Sequence, residues 1–323
     1  MADFGLTHQH AALLYRALVL PEGREKRMTR RLRFCLLIGL FTCLILGLGW
    51  TTHHQATHQH ATQESYALPK RYQQVKNGIM VFCYHRILGD SWSTRLVQGL
   101  STNSQLHEFN VPADQFSAQM KYLHDHHVKV ISAATMVRLV QQKRPLKGKY
   151  VVLSFDDIDR TVLDHAVPVL NHYRYPFTTF IITGNTGRYR EGTQLATWSQ
   201  IKAARRTTYG RMTLGLHTHN LHYLDAHMTP VFMHPHATGK FKRDFAQSKR
   251  DLVHHTGVTG DSFAFPYGAG TDAINAFLAR QRLTWVATLD AGITTDDTDL
   301  NATPRVIVNH QSWPSIQRWL TQD

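Results

Sequence analysis

From residue 78 onward, short apolar runs alternate with longer segments whose apolar side chains recur every three or four positions. "IMVFCYHRI", "VKVIS", "KYVVLSF", "PFTTFIIT", "MTLGLH", "DSFAF", "LTWVAT" and "PRVIV" read as strands. Between them, Phe116, Met120 and Leu123 fall at i, i+4 and i+7 and mark one face of a helix. Phe241, Phe245 and Leu252 mark the inward face of a second helix, "FKRDFAQSKRDLVHH". "AATMVRLVQQ", "TVLDHAVPVLNHY" (with Pro168 inside it), "WSQIKAARR", "TDAINAFLARQ" and "SIQRWL" complete the helical set. Alternation repeated this often predicts a parallel sheet with helices outside it. A (β/α) barrel is the first expectation and an open doubly wound sheet the second; in both, a site lies beyond the carboxyl ends of the strands. Neither G-x-G-x-x-G nor G-x-x-x-x-G-K-[ST] occurs, so nothing supports a nucleotide-phosphate cradle.

The pattern before residue 78 is of another kind. Residues 1–33 hold seven Lys/Arg against three Asp/Glu and form a basic tail. "FCLLIGLFTCLILGLGW" (34–50) follows without a charge, long enough to span a bilayer as a helix of about 17 residues. The basic run predicts a cytoplasmic N-terminus, with the rest of the chain outside the cell membrane. A cleaved signal peptide is the alternative, and it would give a secreted protein. Residues 51–77 are rich in His, Gln and Thr and read as a polar linker, so the folded domain is expected over 78–323. Of the three cysteines, Cys35 and Cys43 fall in the apolar run; Cys83 alone remains outside it and has no disulfide partner there. The formal charge of +13 suits anionic surroundings such as phospholipid or an acidic cell wall. No nucleic-acid motif accompanies it.

Three stretches at predicted strand ends carry chemical groups: "SFDD" (Ser154–Asp157), "LGLHTHNLH" (Leu214–His222) and "FAFPYG" (Phe263–Gly268). Clustered histidines with a carboxylate are the ligand set of a catalytic metal site. Spacing leaves the pairing open: His217 with His219 on a strand, His219 with His222 on a helical turn, or His217 with His222 around a curled loop. Adjacent aspartates at a strand end point in different directions, so one can hold a cation while the other faces a water. Asp159 reads as a loop residue or helix cap. The "PYG" turn offers backbone amides to a developing oxyanion.

These stretches, in this order and spacing, resemble the NodB-like polysaccharide deacetylases. The run "SFDDIDRTVLDHAVPVLNHYRYPFTTFIITG", with "ATWSQIK" and "HTHNLHYL", is similar to one branch: the intercellular-adhesion poly-β-1,6-N-acetylglucosamine N-deacetylases of biofilm-forming Gram-positive bacteria. The resemblance implies a distorted (β/α) barrel. It also implies one divalent metal ion, zinc first and cobalt or nickel as alternatives, held by Asp157, His217 and His222. Asp156 matches the general base, the Tyr267 amide the oxyanion donor and His310 the general acid. Tyr84, His85 and Trp198 match segments that line the substrate site. The implied activity is hydrolysis of acetamide groups on the extracellular polymer, with release of acetate. Peptidoglycan or chitin-type N-deacetylation, and a non-catalytic glycan-binding protein on the same fold, are the alternatives. The implied partners are the polymer, the membrane, the anionic cell surface and the polymer synthesis and export machinery. One departure stands out. The wider family has an arginine before Pro-Tyr that pairs with the base, and "DSFAFPYG" has none, which predicts a less well oriented base.

Overall fold

Among the described residues the main sheet has eight strands, and seven of them wind in chain order: β1 (Gly78–Tyr84), β2 (Lys149–Phe155), β3 (Phe177–Ile181), β4 (Met212–Leu216), β5 (Ser262–Ala264), β6 (Trp285–Ala287) and β7 (Val306–Ile307); the short eighth, Lys129–Val130, pairs with β2 off that path. Every ladder between them is parallel, and β7 returns to pair with β1. This computed structural model describes residues 67–89, 109–190 and 193–322; the basic tail and the apolar run at 34–50 lie outside them. Among the described residues no helix is long and apolar enough to cross a membrane. The expected barrel is thus a curled parallel sheet. It has a seam where β6 meets the approach to β7, with a single bridge among the described residues, Ala287 to Thr303. The Thr303 amide donates to Val286 O and the Thr288 amide to Thr303 O.

Alternation sorts the side chains of each strand. Met80, Phe82 and Tyr84 of β1, with Val151, Leu153 and Phe155 of β2, join a large apolar cluster with the outer helices. Ile79, Val81 and Val152 join Phe180, Ala264 and Ala287 in a second cluster. Phe180 fills space that Gly215 leaves, since a Cβ there would meet the ring at 2.5 Å.

The helices are α1 (Ala113–Asp125), α2 (Ala133–Gln141), α3 (Val167–Tyr173), α4 (Trp198–Thr207), α5 (Thr238–Thr256), α6 (Asp272–Leu278) and α7 (Trp313–Thr321). Phe116, Met120 and Leu123 of α1 are buried, as are Phe241, Phe245 and Leu252 of α5. Thr197 and Gln200 form a reciprocal capping box at the start of α4. The helix expected over "TVLDHAVPVLNHY" opens with a π turn, Val162–Ala166. Pro168 brings no N–H to the carbonyl four residues back, and the widened turn absorbs that loss.

Residues 67–77, expected at the end of the linker, dock on the domain. Leu68 is buried and its amide donates to Ser315 Oγ at 2.9 Å. Trp319 Nε1 of α7 donates to Val75 O at 2.7 Å. The folded unit therefore includes Leu68, ten residues ahead of β1. Leu68→Ala is expected to lower unfolding free energy by about 2–4 kcal/mol, read from the urea midpoint. A wild-type midpoint in that variant would return the segment to the linker.

Candidate active site

Register builds the rim. Tyr84 is aligned with Phe155, so His85 and Asp156 leave the sheet side by side. Ile181 is aligned with Leu216, and Leu216 with Phe263, which brings His217 and Ala264 to the same edge. The His217 Nδ1 atom lies 2.8 Å from the Ala264 carbonyl. A carbonyl only accepts, so the proton sits on Nδ1 and the Nε2 lone pair is free to bind a cation. His217 Nε2 is 3.4 Å and His222 Nε2 3.3 Å from one atom, Asp157 Oδ1. That oxygen is buried and has no hydrogen-bond donor.

These spacings test whether the trio fits a metal. Ligand atoms around a tetrahedral ion with bonds of about 2.0–2.1 Å lie about 3.3–3.4 Å apart. Both imidazole nitrogens stand at that separation from Asp157 Oδ1, the three ligand atoms all lie within 4.8 Å of one another, and the orphaned oxygen supplies the unmet charge. Burial pushes the Asp157 carboxyl up, but His222 and His217 outweigh it and hold the group below the usual carboxylate range. Of the three histidines whose pairing spacing left open, His217 and His222 stand together beside Asp157 as a group that could hold a metal ion.

Asp156 has a different environment. It is 1% exposed and clamped by Arg305, which donates from Nη1 to Oδ1 at 2.7 Å and from Nη2 to Oδ2 at 2.8 Å. Arg305 also donates from Nε to Thr288 O and from Nη1 to Ser154 Oγ, and it sits over the Phe180 ring. Burial would raise the Asp156 carboxyl; the Arg305 charge, aided by His217, more than reverses this and holds it at about 2. The expectation of a loosely oriented base is therefore corrected. An arginine does pair with Asp156, but it arrives just ahead of β7 rather than before Pro-Tyr. Cys83 Sγ–H donates weakly to Asp156 Oδ2 at 3.6 Å, and His85 Nε2 stands 4.0 Å from the same oxygen.

A polysaccharide deacetylase family model matches residues 143–286. IcaB from Ammonifex degensii is 32% identical, with a TM-score of 0.66; the match covers 76% of this chain and 97% of that one. The poly-β-1,6-N-acetyl-D-glucosamine N-deacetylases of Staphylococcus aureus and Staphylococcus epidermidis are each 25% identical over 257 and 252 residues. They cover 78% and 77% of this chain, and 86% of each relative. The chain is a polysaccharide deacetylase. It is an amide hydrolase that acts as an N-deacetylase.

The deacetylase opens a cavity of about 720 Å3 over these groups, lined among others by His85, Asp156, Asp157, His217, His222 and Tyr267. The Tyr267 hydroxyl reaches His222 Nδ1 at 3.5 Å. His219 turns away, with Nδ1 at 2.7 Å from Asp251 Oδ2 of α5. Asp244 of the same helix accepts the His219 and Asn220 amides at 2.7 and 2.8 Å, fixing the curl that carries His222. Each rim segment holds a non-glycine residue in left-handed backbone: Asp157 and Ile158, Thr218, and Tyr267. Such residues cost roughly 1–3 kcal/mol each and persist where the surroundings over-determine them.

Three expected site residues lie off the cavity. Tyr84 is buried on the helix side of β1, where alternation puts it, and its hydroxyl donates to Gln119 Oε1 at 2.9 Å. Trp198 opens α4 and stacks on His255, with ring centroids 4.6 Å apart. His310 is exposed in the turn before α7, where Asn309 Oδ1 accepts the Gln311 and Ser312 amides.

Arg305 and Asp244 were not singled out in the sequence. The only signal for Arg305 is a charge inside the strand-like run "PRVIV", where a buried cation demands a partner. Arg305→Met leaves Asp156 buried without its cation, and a loss of about 3–5 kcal/mol of stability is expected. Burial then acts with less opposition, the carboxyl rises, and the acid limb of kcat/KM moves to higher pH. Arg305→Lys keeps the charge without the fork and should fall between. An acid limb that stays in place in both variants would show that the clamp does not tune the base.

Proposed function

We propose that this deacetylase is a metal-dependent N-deacetylase of extracellular poly-β-1,6-N-acetyl-D-glucosamine. Its product would be acetate and a partly cationic polymer. The observation that carries the metal dependence is the buried, donorless Asp157 Oδ1 with two imidazole Nε2 atoms at 3.3 and 3.4 Å. The polymer is suggested by the relatives' names and by the IcaB likeness. Asp and two His suit zinc, and cobalt or nickel in its place. The apolar run at 34–50 supports a membrane-held enzyme facing outward.

A divalent ion held by Asp157, His217 and His222 would supply Lewis-acid polarisation of the acetamide and an acidified water. Asp156 is the base. At about 2 its carboxyl is ionised at any working pH, and so weakly basic that it accepts protons only from an acidic donor. Arg305 holds both its oxygens, so the base does not rotate as substrate arrives. The Tyr267 amide, in the left-handed turn after β5, is assigned to the developing oxyanion. His85 is assigned the return of the proton to the leaving amine. Burial lowers its imidazole, so it starts neutral and can take the proton from Asp156, whose Oδ2 lies 4.0 Å from His85 Nε2.

The test is acetate release from defined β-1,6-linked N-acetylglucosamine oligomers, with chelator and zinc add-back. Asp157→Ala and His222→Ala are expected to lose both bound metal and turnover. Asp156→Asn and His85→Ala should keep the metal while turnover falls about 10²–10⁴-fold. Undiminished release in a ligand variant would reject the ligand set. Turnover confined to β-1,4-linked chitin or peptidoglycan fragments would reject the polymer.

A further inference from the structure

The two histidines of the ligand trio are anchored unequally. His217 Nδ1 donates to the Ala264 carbonyl at 2.8 Å, within the sheet edge. His222 Nδ1 meets the Tyr267 hydroxyl at 3.5 Å, longer than an ordinary hydrogen bond, and Tyr267 is itself exposed. The place of the His222 ring therefore depends on the backbone that carries it. That backbone is the short arc 218–221, which curls from the end of β4 back to Asp157. The arc is strained: Thr218 is β-branched and has φ 68°, so neighbours must hold the shape.

Two elements outside the ligand set grip the arc. On one edge lies the turn after β3, Thr183–Asn185. The Thr183 amide donates to Thr218 O at 3.2 Å and the Gly184 amide to His219 O at 2.9 Å. A Cβ at position 184 would meet His219 O at 2.5 Å, so this approach requires glycine. On the other edge lies α5. Asp244 accepts two consecutive amides, His219 on Oδ1 at 2.7 Å and Asn220 on Oδ2 at 2.8 Å. Asp251, two turns further along α5, meets the His219 ring at 2.7 Å, and Gln247 donates to its other oxygen at 2.7 Å.

A carboxylate is the group this grip requires. Two neighbouring N–H donors meet two acceptor oxygens, and bonds to an ionised acceptor are the stronger kind. A side-chain amide of the same size brings one acceptor and turns its NH2 against the second donor. We propose that Asp244 is a positioning residue for the metal site: through the His219 and Asn220 amides it sets where His222 stands, and so how tightly the site holds a divalent ion. This inference rests on the proposed metal dependence.

The experiment measures zinc affinity of the full chain by competition with a chromophoric chelator, beside acetate release and the metal-free urea midpoint. Asp244→Asn is expected to weaken zinc binding about 10–100-fold, the usual effect of removing a partner one step behind a ligand. Its turnover should return toward wild type once zinc is saturating. Asp244→Glu keeps both oxygens on a longer stem and should fall between. Leu68→Ala controls for lost stability alone: its urea midpoint falls while its zinc affinity stays at the wild-type value. Wild-type zinc affinity in both Asp244 variants would overturn the assignment, and so would an equal loss of affinity in Leu68→Ala. A wild-type chain that binds no zinc, cobalt or nickel would bring down the proposed metal dependence, and the assignment with it.

Discussion

One buried ion pair holds the catalytic end of this protein together. Arg305 reaches Thr288 O just past β6, Ser154 in β2, the Phe180 ring in β3 and both oxygens of Asp156. It starts from the backbone immediately ahead of β7, beside the seam where only one bridge joins the sheet's ends. Desolvating a guanidinium and a carboxylate is expensive, and good geometry with further hydrogen bonds is what offsets it. Here the fork is matched and Nε also has an acceptor. The same cation therefore spans the weak join of the sheet and fixes the base.

The two aspartates of "SFDD" show how neighbours acquire separate work. Asp156 continues the inward alternation of Val152 and Ser154 and meets the arginine. Asp157, with φ 66°, turns out of the strand path and meets the two histidines. Both carboxyls are held low, but by different neighbours: a guanidinium for one, two imidazoles for the other. A divalent ion at the second position would add charge where the geometry already asks for it.

Much of this was legible in the chain. Strand–helix alternation gave the parallel sheet, and placing "SFDD", "LGLHTHNLH" and "FAFPYG" at strand ends brought the site to one rim, because parallel strands share a carboxyl edge. Other features depend on tertiary contacts that no local pattern carries. Arg305 and Asp156 are 149 positions apart. Trp198 and Tyr84 belong to motif-like stretches, yet helix face and strand alternation turn them away from the cavity. The docking of Leu68 depends on Ser315, far along the chain, and a polar composition upstream hid it. His85 lay in a segment expected to line the site; its partnership with Asp156 became readable only from the β1–β2 register.

The seam also sets how this enzyme fails under warming. Local opening begins where few hydrogen bonds join two segments, and a single bridge between Ala287 and Thr303 is such a place. Water admitted there would reach a guanidinium that is otherwise dry and loosen its grip on Asp156. Catalysis would then fade through a hinge-like loosening of the sheet's last joint, while the helices and the remaining ladders stay intact. Heat inactivation would then precede global melting, and the distance between them would measure how firmly one arginine closes the ring.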